Sequence, residues 1–142
     1  MVHMYHDNQA DDRAPLADEG FAAAFEALAL RPDAFRHAEH VRLAWIYLRR
    51  HGLLEAIRRY REGLVRFTGH HGASRRYHET VTWAMVVLIH ERIVGAPEID
   101  DFRAFAAANP DLMRWHGGAF FDYYAEDVLA SELARRTFVL PR

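Results

Sequence analysis

A chain of 142 residues with 18 basic and 20 acidic side chains, a net charge of −2 and about half its residues apolar makes one domain around one core. That balance excludes a disordered chain and gives no basic footprint for nucleic acid. The absence of cysteine excludes disulfides, iron–sulfur clusters, thiolate zinc sites and thiol nucleophiles, and because all 18 basic residues are arginine, a Walker A loop, a Schiff base and a lysine general base are excluded too.

Residues 1–16, with His3, His6 and Pro15, read as a flexible tail ahead of a single helical-bundle domain over 17–142. The opening MVHMYHDNQADDR is polar and acidic where a signal peptide needs an apolar run, and no stretch approaches the roughly 20 apolar residues of a membrane span. The sequence therefore predicts a cytoplasmic protein with no membrane partner.

Asp18 is placed to cap a first helix, whose stripe is Phe21, Ala24, Phe25 and Leu28. Pro32 and Asp33 restart the chain, and a second helix is expected from about Ala34 to His51, closed by Gly52 as a C′ glycine. A third covers about Leu53 to Thr68, with Leu54, Ile57, Leu64 and Phe67 on one side and a solvated arginine face on the other. The loop GHHGASRR follows, with His70 and His71 expected to be exposed in it. A fourth helix spans about Tyr77 to Val94, and a short fifth begins at Asp100 or Asp101 and stops at Asn109 and Pro110. Asp111 to Arg142 reads as helical turns packed over the bundle, broken at Gly117-Gly118. With no alternating strand pattern and short connections, the expected fold is all-α: an up-down four-helix bundle with an additional C-terminal helical segment.

Periodicity singles out three histidines. His37, His40, Val41, Ala44 and Leu48 share one helical face, and His78, Val81, Met85 and Leu88 share another. In an up-down bundle the second and fourth helices run parallel, so His37, His40 and His78 lie within about two turns of one level at one end. Three imidazoles suit a transition metal ion (copper, iron, zinc or nickel), with Glu79 as a fourth ligand, a hydrogen-bond partner of a ligating histidine or a general base. Arg75 and Arg76, beside a helix N-terminus, are candidates to hold a small anionic substrate. No Glu-x-x-His pair or H-E-x-x-H is present, which disfavours di-iron and zincin chemistry, and His90 falls about 18 Å further along its helix, at the far end.

The leading expectation is a metal-dependent enzyme performing oxygen chemistry or metal-assisted hydrolysis. Two others stand beside it. One is a non-enzymatic module whose histidines are buried structural residues and whose aromatic cluster Phe120, Phe121, Tyr123 and Tyr124 forms core cover or a homodimer surface. The other is a metal-free enzyme with His78 and Glu79 in acid–base roles.

The segments F-R-H-A-E-H-V-R-L-A-W-I-Y-L, Y-H-E-T-V-T-W, L-I-H-E-R and A-A-N-P-D-L, with the ending R-R-T-F-V-L-P, resemble a group of short bacterial helical proteins of about this length. The resemblance runs from about Phe35 to Pro141 and carries no activity with it. The DinB-like metal enzymes offer an architectural parallel, three histidines in a four-helix bundle, but their histidine spacing differs and no residue is carried across.

Overall fold

The computed structural model describes residues 16–142. The expected tail, including His3 and His6, otherwise lies outside the described residues. Among the described residues seven α-helices follow in order: α1 (Asp18–Glu26), α2 (His37–Arg50), α3 (Leu53–His70), α4 (Glu79–Gly95), α5 (Phe102–Ala108), α6 (Glu126–Leu129) and α7 (Glu132–Arg136). Single 3-10 turns occupy Pro32–Ala34, Ser74–Arg76 and Ala119–Asp122, and the described residues contain no strand. No helix among them is long and apolar enough to cross a membrane.

The fold is an all-α bundle. Its heart is α2, α3 and α4, each packed on both of the others, with α1 laid across α2 and α3, and α7 against α4. Helix α3 shows why the elements form. Ala56, Ile57, Tyr60, Gly63, Leu64 and Phe67 are buried along one stripe at helical spacing. The opposite face carries a ladder of ion pairs, Arg58 to Glu55 (2.6 Å) and Glu62 (3.0 Å) and Arg59 to Glu55 (2.8 Å), each worth a few tenths of a kcal/mol when exposed. Helix α4 is covered on several sides: Thr80, Thr82, Met85, Val86, Leu88 and Ile89 are all buried, because α2, α3 and the C-terminal segment pack against it.

That segment is fastened by polar contacts. The Thr80 hydroxyl, fully buried, donates to the Thr137 carbonyl (2.8 Å) and accepts from the Val139 N–H (3.1 Å). The Tyr124 hydroxyl donates to the Val139 carbonyl (2.9 Å). Arg92 clamps the Asp111 carboxylate (2.8 and 3.1 Å) and the Asn109 side-chain oxygen (2.7 Å). Phe120 and Tyr124 are buried as core cover, while Tyr123 stays 47 % exposed.

Three local expectations are corrected. Gly52 is not a left-handed C′ residue; it has φ −71° and is the N-cap of α3, because only two residues join α2 to α3. Asp18 does not cap α1: Ala17 holds that position, and the Asp18 carboxylate pairs instead with Arg42 (3.0 Å). The 3-10 turn at Pro32–Ala34 is separate from α2, which begins at His37.

Two glycines are required by geometry. Gly72 has φ +67° and ends α3 in a Schellman motif, the Ala73 N–H bonding to the Thr68 carbonyl (2.7 Å) and the Gly72 N–H to the Gly69 carbonyl (3.2 Å). Gly63 lets α1 approach α3, since a Cβ there falls 2.4 Å from the Phe25 ring. That ring cannot retreat, being fully buried between Phe35 (5.1 Å between centroids) and Phe67 (5.6 Å). Gly63→Ala gains about 1 kcal/mol of helix propensity but overpacks the core by about 2–3 kcal/mol. The expected result is a net loss of about 1–2 kcal/mol in urea unfolding; a variant as stable as the parent contradicts this packing.

Candidate histidine-lined site

Helices α2 and α4 begin at the end of the bundle where α3 finishes. His37 is the first residue of α2, His40 sits one turn on, and His78 is the N-cap of α4. All three line one cavity of about 480 Å³. Tyr60, Leu64 and Thr68 enter it from α3, Val81, Thr82 and Met85 from α4, and Trp115 from the C-terminal segment. Two guanidinium groups, Arg36 and Arg76, stand at its exposed edge.

The imidazoles differ in what they have left to offer. The His78 Nδ1 accepts the Val81 N–H (3.1 Å), and its Nε2 meets the Leu129 carbonyl at 2.7 Å. A carbonyl only accepts, so Nε2 carries the proton and both ring nitrogens are used. His37 likewise places its Nε2 against the Leu112 carbonyl (2.8 Å) and tilts on Trp115 (5.7 Å between centroids), which keeps Nδ1 as its uncommitted nitrogen. His40 stacks on Phe35, with centroids 4.1 Å apart and planes at 23°.

Burial lowers the basicity of all three. His40 falls to about 4, first through desolvation and then through repulsion from His37. His37 and His78 move the same way for the same first reason, opposed by their carbonyl bonds to Leu112 and Leu129. At neutral pH the cavity therefore presents three uncharged rings.

Glu79 does not share this cavity. Its carboxylate, 12 % exposed, takes the Arg61 Nε–H on both oxygens (3.0 and 2.9 Å), the Tyr77 hydroxyl (2.6 Å) and the Trp83 indole N–H (3.1 Å). It faces a neighbouring groove with Arg61, Arg75 and Arg135. Tyr77 lines both spaces, and burial together with its bond to Glu79 pushes its phenol to weaker acidity. Of the expected arginine pair, Arg76 lines the three-histidine cavity and Arg75 the Glu79 groove, and both line an outer cavity of the Gly72 loop that His40 also reaches; the Arg75 carbonyl accepts from Arg135 (2.6 Å). Neither Arg36 nor Arg76 forms an ion pair among the described residues.

The metal expectation can be tested on donor chemistry. Metal binding needs a free imidazole lone pair, and the one that His78 has, on Nδ1, is taken by the Val81 N–H, so coordination there costs the α4 cap. The Glu79 carboxylate is saturated by donors in another groove. His37 and His40 each retain a nitrogen, but the described residues include no group of three or more His, Asp or Glu arranged to hold a metal ion. The residues do not fit a three-imidazole centre in this conformation.

Several participants are invisible in the local sequence. Arg36 directly precedes the first histidine and is legible only once α2 is known to start at His37. Trp115, Leu112 and Leu129 reach the histidines from 51 to 78 residues away, with no local signal. His71, read as exposed, has its Nε2 buried without a partner and its ring edge-on to Phe67 at 4.5 Å. His90 is not among the cavity's lining residues.

No family model, curated protein or solved structure matches the chain.

Proposed function

We propose that the histidine-lined cavity binds a small organic anion, a carboxylate with an apolar body. The observation that carries this is the convergence on one cavity of three neutral imidazoles, an apolar wall and two guanidinium groups that form no ion pair among the described residues. Arg36 and Arg76 supply charge at the mouth. Phe35, Leu64, Met85 and Trp115 supply surface for the body, in a volume typical of small-molecule sites. His37 and His40 keep ring nitrogens that meet a ligand's polar atoms, and any proton transfer at the site uses them, since His78 and Glu79 are committed to the fold.

An anion brought beside His37 and His40 favours their protonated forms, so binding takes up a proton and strengthens as the pH falls from 8 to 6. The test is titration with benzoate and 3-phenylpropionate, read by histidine and Trp115 nuclear magnetic resonance signals. Saturable shifts are expected, weakened by more than tenfold in an Arg36→Gln, Arg76→Gln double variant, since a tenfold loss is about 1.4 kcal/mol and each charge-assisted bond is worth about 1.5–3 kcal/mol. Unchanged affinity in that variant overturns the proposal. So does a one-to-one complex with copper, iron, zinc or nickel that requires His37, His40 and His78 together while neither carboxylate shifts these signals.

A further inference from the structure

Beside the histidine cavity, across Tyr77, lies the groove that Glu79 faces, with a volume of about 860 Å³. Four guanidinium groups from three elements line it: Arg61 from α3, Arg75 from the Ser74–Arg76 turn, and Arg135 and Arg136 from the last turn of α7. The turn packs on α3 and α7 packs on α4, and the Arg135 guanidinium donates to the Arg75 carbonyl (2.6 Å), which ties the two outer segments to each other.

Two carboxylates, Glu79 and Glu132, stand against these four cations, which leaves two positive charges in excess. Glu79 is saturated by its donors, yet Arg61 spends only its Nε–H there; its Nη groups form no hydrogen bond among the described residues. Glu132, 71 % exposed, lies 4.0 Å from Arg135, where water screens most of the attraction. Glu62, whose charge also reaches Arg61, is held by Arg58 on the outer face of α3 (3.0 Å). Arg75 and Arg136 are exposed and form no ion pair among the described residues. Like charges gathered in one concavity repel, and a doubly charged anion relieves that repulsion. A carboxylate fills one guanidinium fork, whereas a phosphate has oxygens enough to bridge two. The Ser74 hydroxyl adds a neutral donor on the same turn as Arg75.

We propose that this groove is a binding site for a phosphate dianion, free or as the monoester of a small molecule, held chiefly by Arg75 and Arg136. It does not rest on the carboxylate cavity, since neither Arg36 nor Arg76 lines the groove. The probes are inorganic phosphate, phenyl phosphate and the singly charged dimethyl phosphate. They are titrated into the full chain at about 0.15 M sodium chloride and read by the arginine Nε–H resonances. Phosphate and phenyl phosphate are expected to shift the Arg75, Arg135 and Arg136 signals saturably, with dimethyl phosphate about tenfold weaker. An Arg75→Gln, Arg136→Gln double variant, altered only at exposed positions, is expected to keep parental urea unfolding and to weaken phosphate by more than about tenfold. The Arg36→Gln, Arg76→Gln variant is expected to bind phosphate as the parent does, so loss of the carboxylate site leaves this result standing. Tighter binding of phenyl phosphate than of phosphate assigns a monoester whose body lies on Val65 and Tyr77; equal or weaker binding assigns the free ion. Shifts that vanish at this salt concentration overturn the proposal, as does dimethyl phosphate binding as tightly as phosphate. Unchanged affinity in the Arg75, Arg136 variant overturns it too, and so does an affinity lost only in the Arg36, Arg76 variant, which places the phosphate among the histidines.

Discussion

Acidification from pH 7 to pH 4 is expected to remove about 3 kcal/mol of stability through His40 alone. Its folded pKa is about 4 against an ordinary 6.5, so the unfolded chain takes the proton first. At about 1.4 kcal/mol per unit, stability is fully present above pH 6.5 and falls progressively towards pH 4. His37 and His78 add to the loss in the same direction. Glu55, held below its ordinary 4.5 by Arg58 and Arg59, and Asp111, held below its ordinary 3.8 by Arg92, lose their stabilisation only as the pH nears those ordinary values, so the fall between pH 7 and pH 5 belongs to the histidines. The measurement is urea unfolding at pH 7, 6, 5 and 4 in the parent and in His40→Leu. The parent is expected to weaken steadily, and the variant to lose about one proton's worth of slope. A parent equally stable at pH 7 and pH 5, or a variant with an unchanged slope, contradicts the neutral-ring description of the cavity.

Glu79→Ala is expected to cost about 2–4 kcal/mol. The loss is structural: the substitution leaves the Arg61 guanidinium, the Tyr77 hydroxyl and the Trp83 N–H facing a site with no acceptor. Because Arg61 is 44 % exposed, water recovers part of its solvation, which keeps the cost below that of a fully buried pair. Glu79→Gln retains one acceptor oxygen and is expected to cost about half as much. Urea unfolding separates this from a role in acid–base chemistry, for which the alanine variant keeps parental stability.

The helices were legible because their apolar stripes are strong and their stops are marked. Phe21 and Phe25 in α1, Ile57, Leu64 and Phe67 in α3, and Asp101 before α5 are signals that local physics honours. Helix direction and rise put His37, His40 and His78 at similar depth at one end, but that they line one cavity is seen only in the fold. Their ring chemistry was not legible, because it is set by the carbonyls of Leu112 and Leu129 and by the cap of α4. An imidazole capping a helix has no propensity signature, since Ser, Thr, Asp and Asn dominate that position. The surroundings of Glu79 are not legible for a related reason. Sequence adjacency to His78 suggested a shared site, but successive residues at a helix start point about 100° apart, and Glu79 turns towards Arg61 on α3.

The most direct measurement is long-range proton–nitrogen correlation of the histidine rings at pH 7, with and without benzoate. His78 and His37 are expected as neutral rings protonated at Nε2, with His40 also neutral. Benzoate is expected to shift His37 Nδ1 and His40 while leaving His78 in place. A charged or metal-bound His78 at pH 7, or rings indifferent to benzoate, contradicts an anion site built on two available imidazoles and one structural cap.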